Sequence, residues 1–174
     1  MDVRINHKVL ALATPTSQGD FMAKVSITGP GQGELIVNGP STIRILEDGS
    51  NTNHRLGMGE ITIPPHTAGP PQHRHAQHDE GFYILSGSVR FTVGQDDHDA
   101  GAGTWVMVPP GAPHTFANVS DETAVMLNTF TPDLYVQYFR DLKAMVESGQ
   151  PLSHDAVAEV WTKYGTEPST EYAS

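Results

Sequence analysis

Between residues 34 and 130 the chain is cut into short runs rich in strand-forming residues, each too brief to be a helix. The runs are 34–37, 42–46, 55–63, 80–85, 89–93, 105–108, 114–117 and 124–130. Turn formers separate them: Asn38, Gly39 and Pro40; Asp48 and Gly49; Pro64 and Pro65; Ser86, Gly87 and Ser88; Gly94 and Asp96; and Pro109, Pro110 and Gly111. Many short strands at close spacing predict an all-β sandwich or barrel. In 89–93 the apolar Val89, Phe91 and Val93 alternate with Arg90 and Thr92, as a strand with one buried face requires. The 17 glycines and 13 prolines fit this reading, because the chain has no low-complexity run to absorb them.

The pattern changes after residue 130. Thr131, Pro132 and Asp133 read as a helix start, with Thr131 as N-cap and Pro132 at the first helical position. Leu134, Tyr135, Tyr138, Phe139, Leu142, Met145 and Val146 then recur at helical spacing up to Gly149. A second short helix is predicted over 155–164, capped by Ser153 and ended by Gly165. Residues 166–174 read as a frayed end. The 174 residues suffice for one well-buried core. The expected organisation is an arm over 1–33 able to form a strand, a barrel over 34–130, and a helical extension of the same domain over 131–174.

Charge narrows the partners. A formal net charge of −10 argues against nucleic acid, whose phosphates require a basic footprint, and against an anionic membrane surface. No window approaches the roughly 20 apolar residues that span a bilayer, and the first residues lack the basic and apolar regions of a secretory leader. A cytoplasmic protein is the expectation. Cysteine is absent, so disulfides and thiolate metal sites are impossible.

Nine histidines stand out against this background. His73 and His75 are two apart, so on a strand both imidazoles face one side. Glu80 follows after a short turn, and His114 opens another run after the turn at 109–113. Three imidazoles and a carboxylate suit a divalent ion of Fe, Mn, Ni, Co, Cu or Zn. A His-x-His pair alone is more often a surface feature. His78 has the opposite parity to His73 and His75, and with His7, His54, His66, His98 and His154 it reads as uninvolved.

The surrounding residues decide the matter. Gly103, Pro109, Gly111, His114 and Asn118 fit a glycine, five residues, proline, one residue, glycine, two residues, histidine, three residues, asparagine pattern. His73, His75, Glu80 and Gly87 fit a companion pattern, whose opening glycine is replaced here by Thr67. In these two motifs the chain resembles the cupin superfamily, single-domain members in particular. The resemblance implies a jelly-roll, or double-stranded β-helix, barrel with short C-terminal helices, and a metal held by His73, His75, Glu80 and His114. Physically, Gly87 and Gly111 permit turn dihedrals that other residues resist, and Pro109 and Pro113 stiffen the approach to His114. Asn118 reads as a strand-end hydrogen bonder.

Strand parity extends the site. If Glu80 faces inward, Phe82 and Ile84 should follow, and Phe116 should follow His114; Met107, Met126 and Asn128 complete the expected pocket wall. An apolar cavity beside a metal suits an aromatic or polyketide-like ligand. The His-rich run from Gly69 and the C-terminal helix are similar to those of bacterial quercetin 2,3-dioxygenase-type cupins. That likeness implies a dioxygenase acting on a flavonol, diketone or similar enolisable aromatic, with dioxygen as second substrate, Glu80 as base and a homodimer as the assembly. Two alternatives stay open: a non-oxidative cyclase, isomerase or decarboxylase, and a small-molecule-binding protein without catalysis.

Overall fold

A computed structural model describes residues 24–150 and 154–173. The expected N-terminal arm falls mostly outside these residues; in its described part, 24–33, no strand is formed. In chain order the elements are β1 Glu34–Asn38, β2 Ser41–Asp48, β3 Gly57–Ile63, β4 Thr67–Ala68, β5 His73–His75, β6 Asp79–Ser86 and β7 Ser88–Val93. There follow β8 Asp96–Gly101, β9 Trp105–Val108, β10 Thr115–Asn118, β11 Ala124–Thr131, α1 Leu134–Glu147, α2 His154–Lys163 and β12 Thr166–Pro168.

The strands form an antiparallel six-stranded sheet, β1-β2-β3-β11-β6-β9, and a four-stranded sheet, β4-β10-β7-β8. Alternation of buried and open positions runs the length of β3 and through β11 up to its last residue, so each gives one face to the core. The two sheets close over a shared core. Phe82 of the first sheet lies 5.1 Å from Phe91 and 5.7 Å from Phe116 of the second, ring centre to ring centre. Phe82, Ile84, Val89, Phe91 and Met126 are all but inaccessible in this layer. Gly87 turns β6 into β7 at φ +71°, and a Cβ there would lie 2.8 Å from Ala124 Cα. The result is the all-β cupin barrel with short helices that the motifs implied. No helix among the described residues is long and apolar enough to cross a membrane.

Three sequence expectations are corrected. Thr131 does not cap α1: it ends β11, paired with Asp79, and Asp133 takes the N-cap position. The sheet ladder outcompetes the capping signal. Residues 96–101 read only as a turn and its sequel, yet they form the edge strand β8, where Arg90 of β7 donates to Asp99. The tail at 166–168 is not frayed. It pairs with β5 in a two-stranded sheet, Thr166 opposite His75 and Pro168 opposite His73. Arg74 reinforces the ladder by donating to Glu167 at 2.6 Å.

The helices pack across the open end of the barrel. Tyr135, Val136, Tyr138 and Leu142 form the buried stripe of α1, and Trp161 does the same for α2. Arg140 ties α1 to the sheet, donating to Glu34 and Asp48 at 2.8 Å each.

Candidate metal centre

Three short pieces of backbone bring the donors together. His73 and His75 occupy the ends of β5, and both are buried because β5 sits between β12 and the chain leading into β10. His114 precedes β10 and bonds directly across to His73. The His73 N–H donates to the His114 carbonyl at 3.0 Å, and the His114 N–H returns to the His73 carbonyl at 2.8 Å. The separation of these two imidazoles is therefore set by paired backbone. Glu80 enters from β6, opposite Phe130 on one side and Val108 on the other.

The imidazole ligand atoms of His73, His75 and His114 lie within 4.8 Å of one another. Each ring is oriented through Nδ1. His73 Nδ1 donates to the Pro71 carbonyl at 2.8 Å and His114 Nδ1 to the Ala112 carbonyl at 3.2 Å. His75 Nδ1 meets Thr166 Oγ1 at 2.9 Å, and that hydroxyl donates onward to Tyr135. A ring that donates from Nδ1 presents Nε2 as its ligand atom. Two of these atoms, on His75 and His114, sit 2.9 and 3.0 Å from the same Glu80 oxygen, Oε2. Such distances are bridged by a proton on each ring or by a cation that replaces the protons, and this donor set fits a divalent transition-metal ion.

Electrostatics agree with that fit. Burial pushes the Glu80 carboxyl up, but hydrogen bonds from His114 and His75 outweigh it and hold the group well below the usual carboxylate range. Burial, aided by the neighbouring His114 and His75, lowers His73 to about 3, so its ring is neutral and able to ligate. Asn128 Nδ2 donates to the other Glu80 oxygen, Oε1, at 3.0 Å and to the Gly81 carbonyl at 3.2 Å.

A cavity of about 280 Å³ opens onto His73, Glu80 and His114, near the lower end of small-molecule pockets, which run from about 300 to 1,000 Å³. Its walls include Phe116 and Asn128, the aromatic residues Tyr135, Tyr138, Phe139 and Trp161 of the helices, and the turn at Asn38, Gly39 and Pro40. Trp161 stacks on His73 at 5.1 Å and donates to the Tyr138 hydroxyl at 3.0 Å. Burial raises Tyr138 to about 12 and lifts Tyr135 well above the ordinary phenol range, so both stay protonated.

Of the pocket residues expected from parity, Phe116 and Asn128 line this cavity. Phe82, Ile84 and Met126 point inward but lie in the core below it, each 0% exposed. Met107 does not belong to the pocket: it is 51% exposed on the outer face. Glu80 pairs with Val108 and Phe82 with Val106, so those valines of β9 share the inward face and Met107 falls between them. The helix side chains were missed as pocket walls because a Tyr, Phe and Trp stripe reads as packing. His78 was set aside, yet it is 1% exposed and packs against His75, ring centres 4.2 Å apart and planes tilted by 35°. The connection from Ala76 to His78 lies outside any strand, so alternation does not govern where that ring points.

Asn118 is a hydrogen bonder of structure: its amide donates to the Ile63, Pro64 and Glu122 carbonyls. His54 and His66 lie on the surface, paired with Asp133 and Asp121.

Comparison with known proteins accords with this geometry. Residues 59–130 match the family described as Cupin domain. An uncharacterized protein of Streptomyces coelicolor is 36% identical over 61 residues, 35% of this chain and 56% of that protein. The chain spans about half the length of the curated relatives it matches. Among solved structures, the polyketide cyclase RemF of Streptomyces resistomycificus superposes with a TM-score of 0.56 at 20% identity, over 62% of this chain and 80% of that one. KdgF of a Halomonas species superposes with a TM-score of 0.55 at 14% identity, over 63% and 94%. At such identities the likeness is one of fold. Residues 59–130 thus match the cupin domain, and the likeness to solved structures extends to the fold.

Proposed function

We propose that the protein is a metal-dependent dioxygenase of an enolisable aromatic or diketone, a flavonol among them, with Glu80 as the base. One observation carries the reading: the Glu80 carboxyl lines an aromatic cavity that His73 and His114 also line, and its Oε2 lies 2.9 and 3.0 Å from the Nε2 atoms of His75 and His114. A divalent ion of Fe, Mn, Ni, Co, Cu or Zn at His73, His75, His114 and Glu80 would supply Lewis-acid polarisation of an acidic enol and, if redox-active, electrons for dioxygen.

The remaining work falls to side chains. Glu80 takes the enol proton, and the Asn128 amide keeps Oε1 oriented while it does so. Because the same amide also donates to Gly81, it cannot rotate freely when the carboxylate changes charge. Trp161, Phe116 and Phe139 offer faces to a flat ring, and the Tyr138 hydroxyl is a neutral donor above it. The mostly apolar wall excludes water from the reacting carbon. The functional unit in this reading is a homodimer. Trp105 and Met107, exposed apolar side chains on the edge strand β9, support it.

A non-oxidative cyclase is the second reading, favoured by the likeness to the polyketide cyclase RemF. It uses the same base and no dioxygen. An oxygen electrode separates the two with metal-loaded protein and a flavonol or 1,3-diketone. Uptake of one dioxygen per substrate, lost in Glu80→Gln, supports the dioxygenase. Equal turnover without oxygen moves the assignment to the cyclase. Tight binding of these compounds with no turnover of any would end the enzyme reading.

A further inference from the structure

Tyr138 carries a proton that the fold does not use. The residue is 6% exposed and lines the cavity that His73, Glu80 and His114 also line. Its hydroxyl oxygen accepts from the Trp161 indole N–H at 3.0 Å. An indole nitrogen can only donate, so this bond takes up a lone pair of the phenol and leaves its proton over. Among the described residues no acceptor stands within hydrogen-bond distance of that proton. A buried donor without a partner is costly, and at the wall of a cavity the partner comes from what the cavity holds. The hydroxyl is also fixed in advance. Trp161 is 3% exposed and stacks on His73, and the Tyr138 ring stacks on Tyr135 with centres 4.5 Å apart.

The rest of the wall sets the charge. No lysine or arginine occurs among the described residues that line the cavity, and Glu80 is its one carboxylate. A carboxylate or phosphate on the part of a ligand remote from the histidines would be buried there with no cation to pair with, which is unfavourable. We propose that Tyr138 selects the ligand: away from the donor cluster the compound is uncharged and presents a neutral acceptor oxygen, such as a ketone, to the Tyr138 hydroxyl. The inference rests on the proposed enolisable ligand and narrows it. A bare aromatic ring would fit the wall but leave the phenol proton without a partner, and an acid would meet that proton at the cost of an unpaired charge.

The probes are benzoylacetone (a phenyl-substituted 1,3-diketone), its meta- and para-acetyl derivatives, and the carboxylates of the same shape. Calorimetric titration of the Zn(II)-loaded protein with air excluded reads binding alone, without oxidative turnover. The better acetyl compound should bind about three- to tenfold more tightly than benzoylacetone, the gain of one neutral hydrogen bond. Both carboxylates should bind more weakly than benzoylacetone. Tyr138→Phe should abolish the acetyl preference. Any damage from leaving the Trp161 N–H unpaired weakens all the compounds alike, so a merely structural role for Tyr138 would leave the preference in place. Equal binding of the acetyl compounds and benzoylacetone overturns the proposal, as does a carboxylate that binds best or an acetyl preference that survives in Tyr138→Phe. Should that variant misfold, the wild-type order of the three classes decides. In each of these cases the diketones still bind, so the enolisable-ligand reading stands. Where no diketone binds at all, that reading fails, and the role of Tyr138 falls with it.

Discussion

The candidate metal donors lie on β5, β6 and the approach to β10, whereas the side chains that roof and brace them lie on α1, α2 and β12. The donor strands are held by short-range backbone. His73 and His114 exchange two hydrogen bonds, and Pro71 and Ala112 orient rings only two residues away. The C-terminal elements act across long stretches of chain: Thr166 reaches His75 from 91 residues away, and Trp161 stacks on His73. A donor set can thus be assembled by local geometry, while its shape toward a ligand comes from a separate, distant segment.

This division can be tested by breaking each side in turn. The largest effect is expected from His114→Ala, which removes a donor and the partner that bridges to Glu80. Elemental analysis should find metal falling from about one equivalent to background, a larger loss than the roughly 10- to 100-fold that outer-shell changes cause. Retention of a full equivalent would mean that the donors are not where the motifs put them. Next comes Trp161→Ala on the covering side. Emptying this 3%-exposed position should cost about 3–5 kcal/mol and lower the melting temperature by about 6–20 °C, with metal content unchanged. Loss of metal in that variant would dissolve the distinction between donors and cover.

Thr166 probes the seam between the two regions. Thr166→Val removes the acceptor of His75 Nδ1 and should weaken metal binding by about 10- to 100-fold, while Thr166→Ser restores it. Equal affinities in the two variants would reduce β12 to a packing element. The smallest effect is expected at Asp48, which joins Arg140 of α1 to the sheet. Hydrogen bonds from Ser50 and then Arg140 hold its carboxyl at about 2, below the ordinary aspartate value of 3.8. Because the folded value is depressed, the stability it confers is present above pH 3.8 and is lost as the pH falls through about 2. The group is largely solvated, so Asp48→Asn should cost no more than about 1 kcal/mol at pH 7 and nothing measurable at pH 2. Urea unfolding of both proteins at the two pH values would reveal it; an equal difference at both would sever the helix–sheet contact from charge.

The barrel and the meeting of His73, His75, Glu80 and His114 were legible because their signals are local. Alternation marks β7, turn residues bracket β6, and the spacing of Gly103, Pro109, Gly111, His114 and Asn118 binds one turn to one strand. What escaped depends on partners far away in sequence. Thr166, Glu167 and Pro168 have little strand character of their own, and only pairing with β5 makes them β12. His78 escaped because parity was applied to a connection that has none. Met107 was placed inward because β9 offers no alternation of apolar and polar residues, and its pairing with β6 alone decides which face each side chain takes. Tyr135, Tyr138 and Trp161 read as packing, and they do pack, but they also wall the cavity beside His73 and Glu80.

The reciprocal bonds between His73 and His114 carry one last consequence. Two of the candidate donors are mounted on a rung of paired backbone, so part of the binding geometry is set by the sheet ladder itself. Such a socket differs from a finger that collapses when stripped. A chelator should be able to empty it, and a different cation to refill it, with no denaturant and no refolding between. The identity of an ion held there would then follow supply in the surrounding medium as much as it follows the protein.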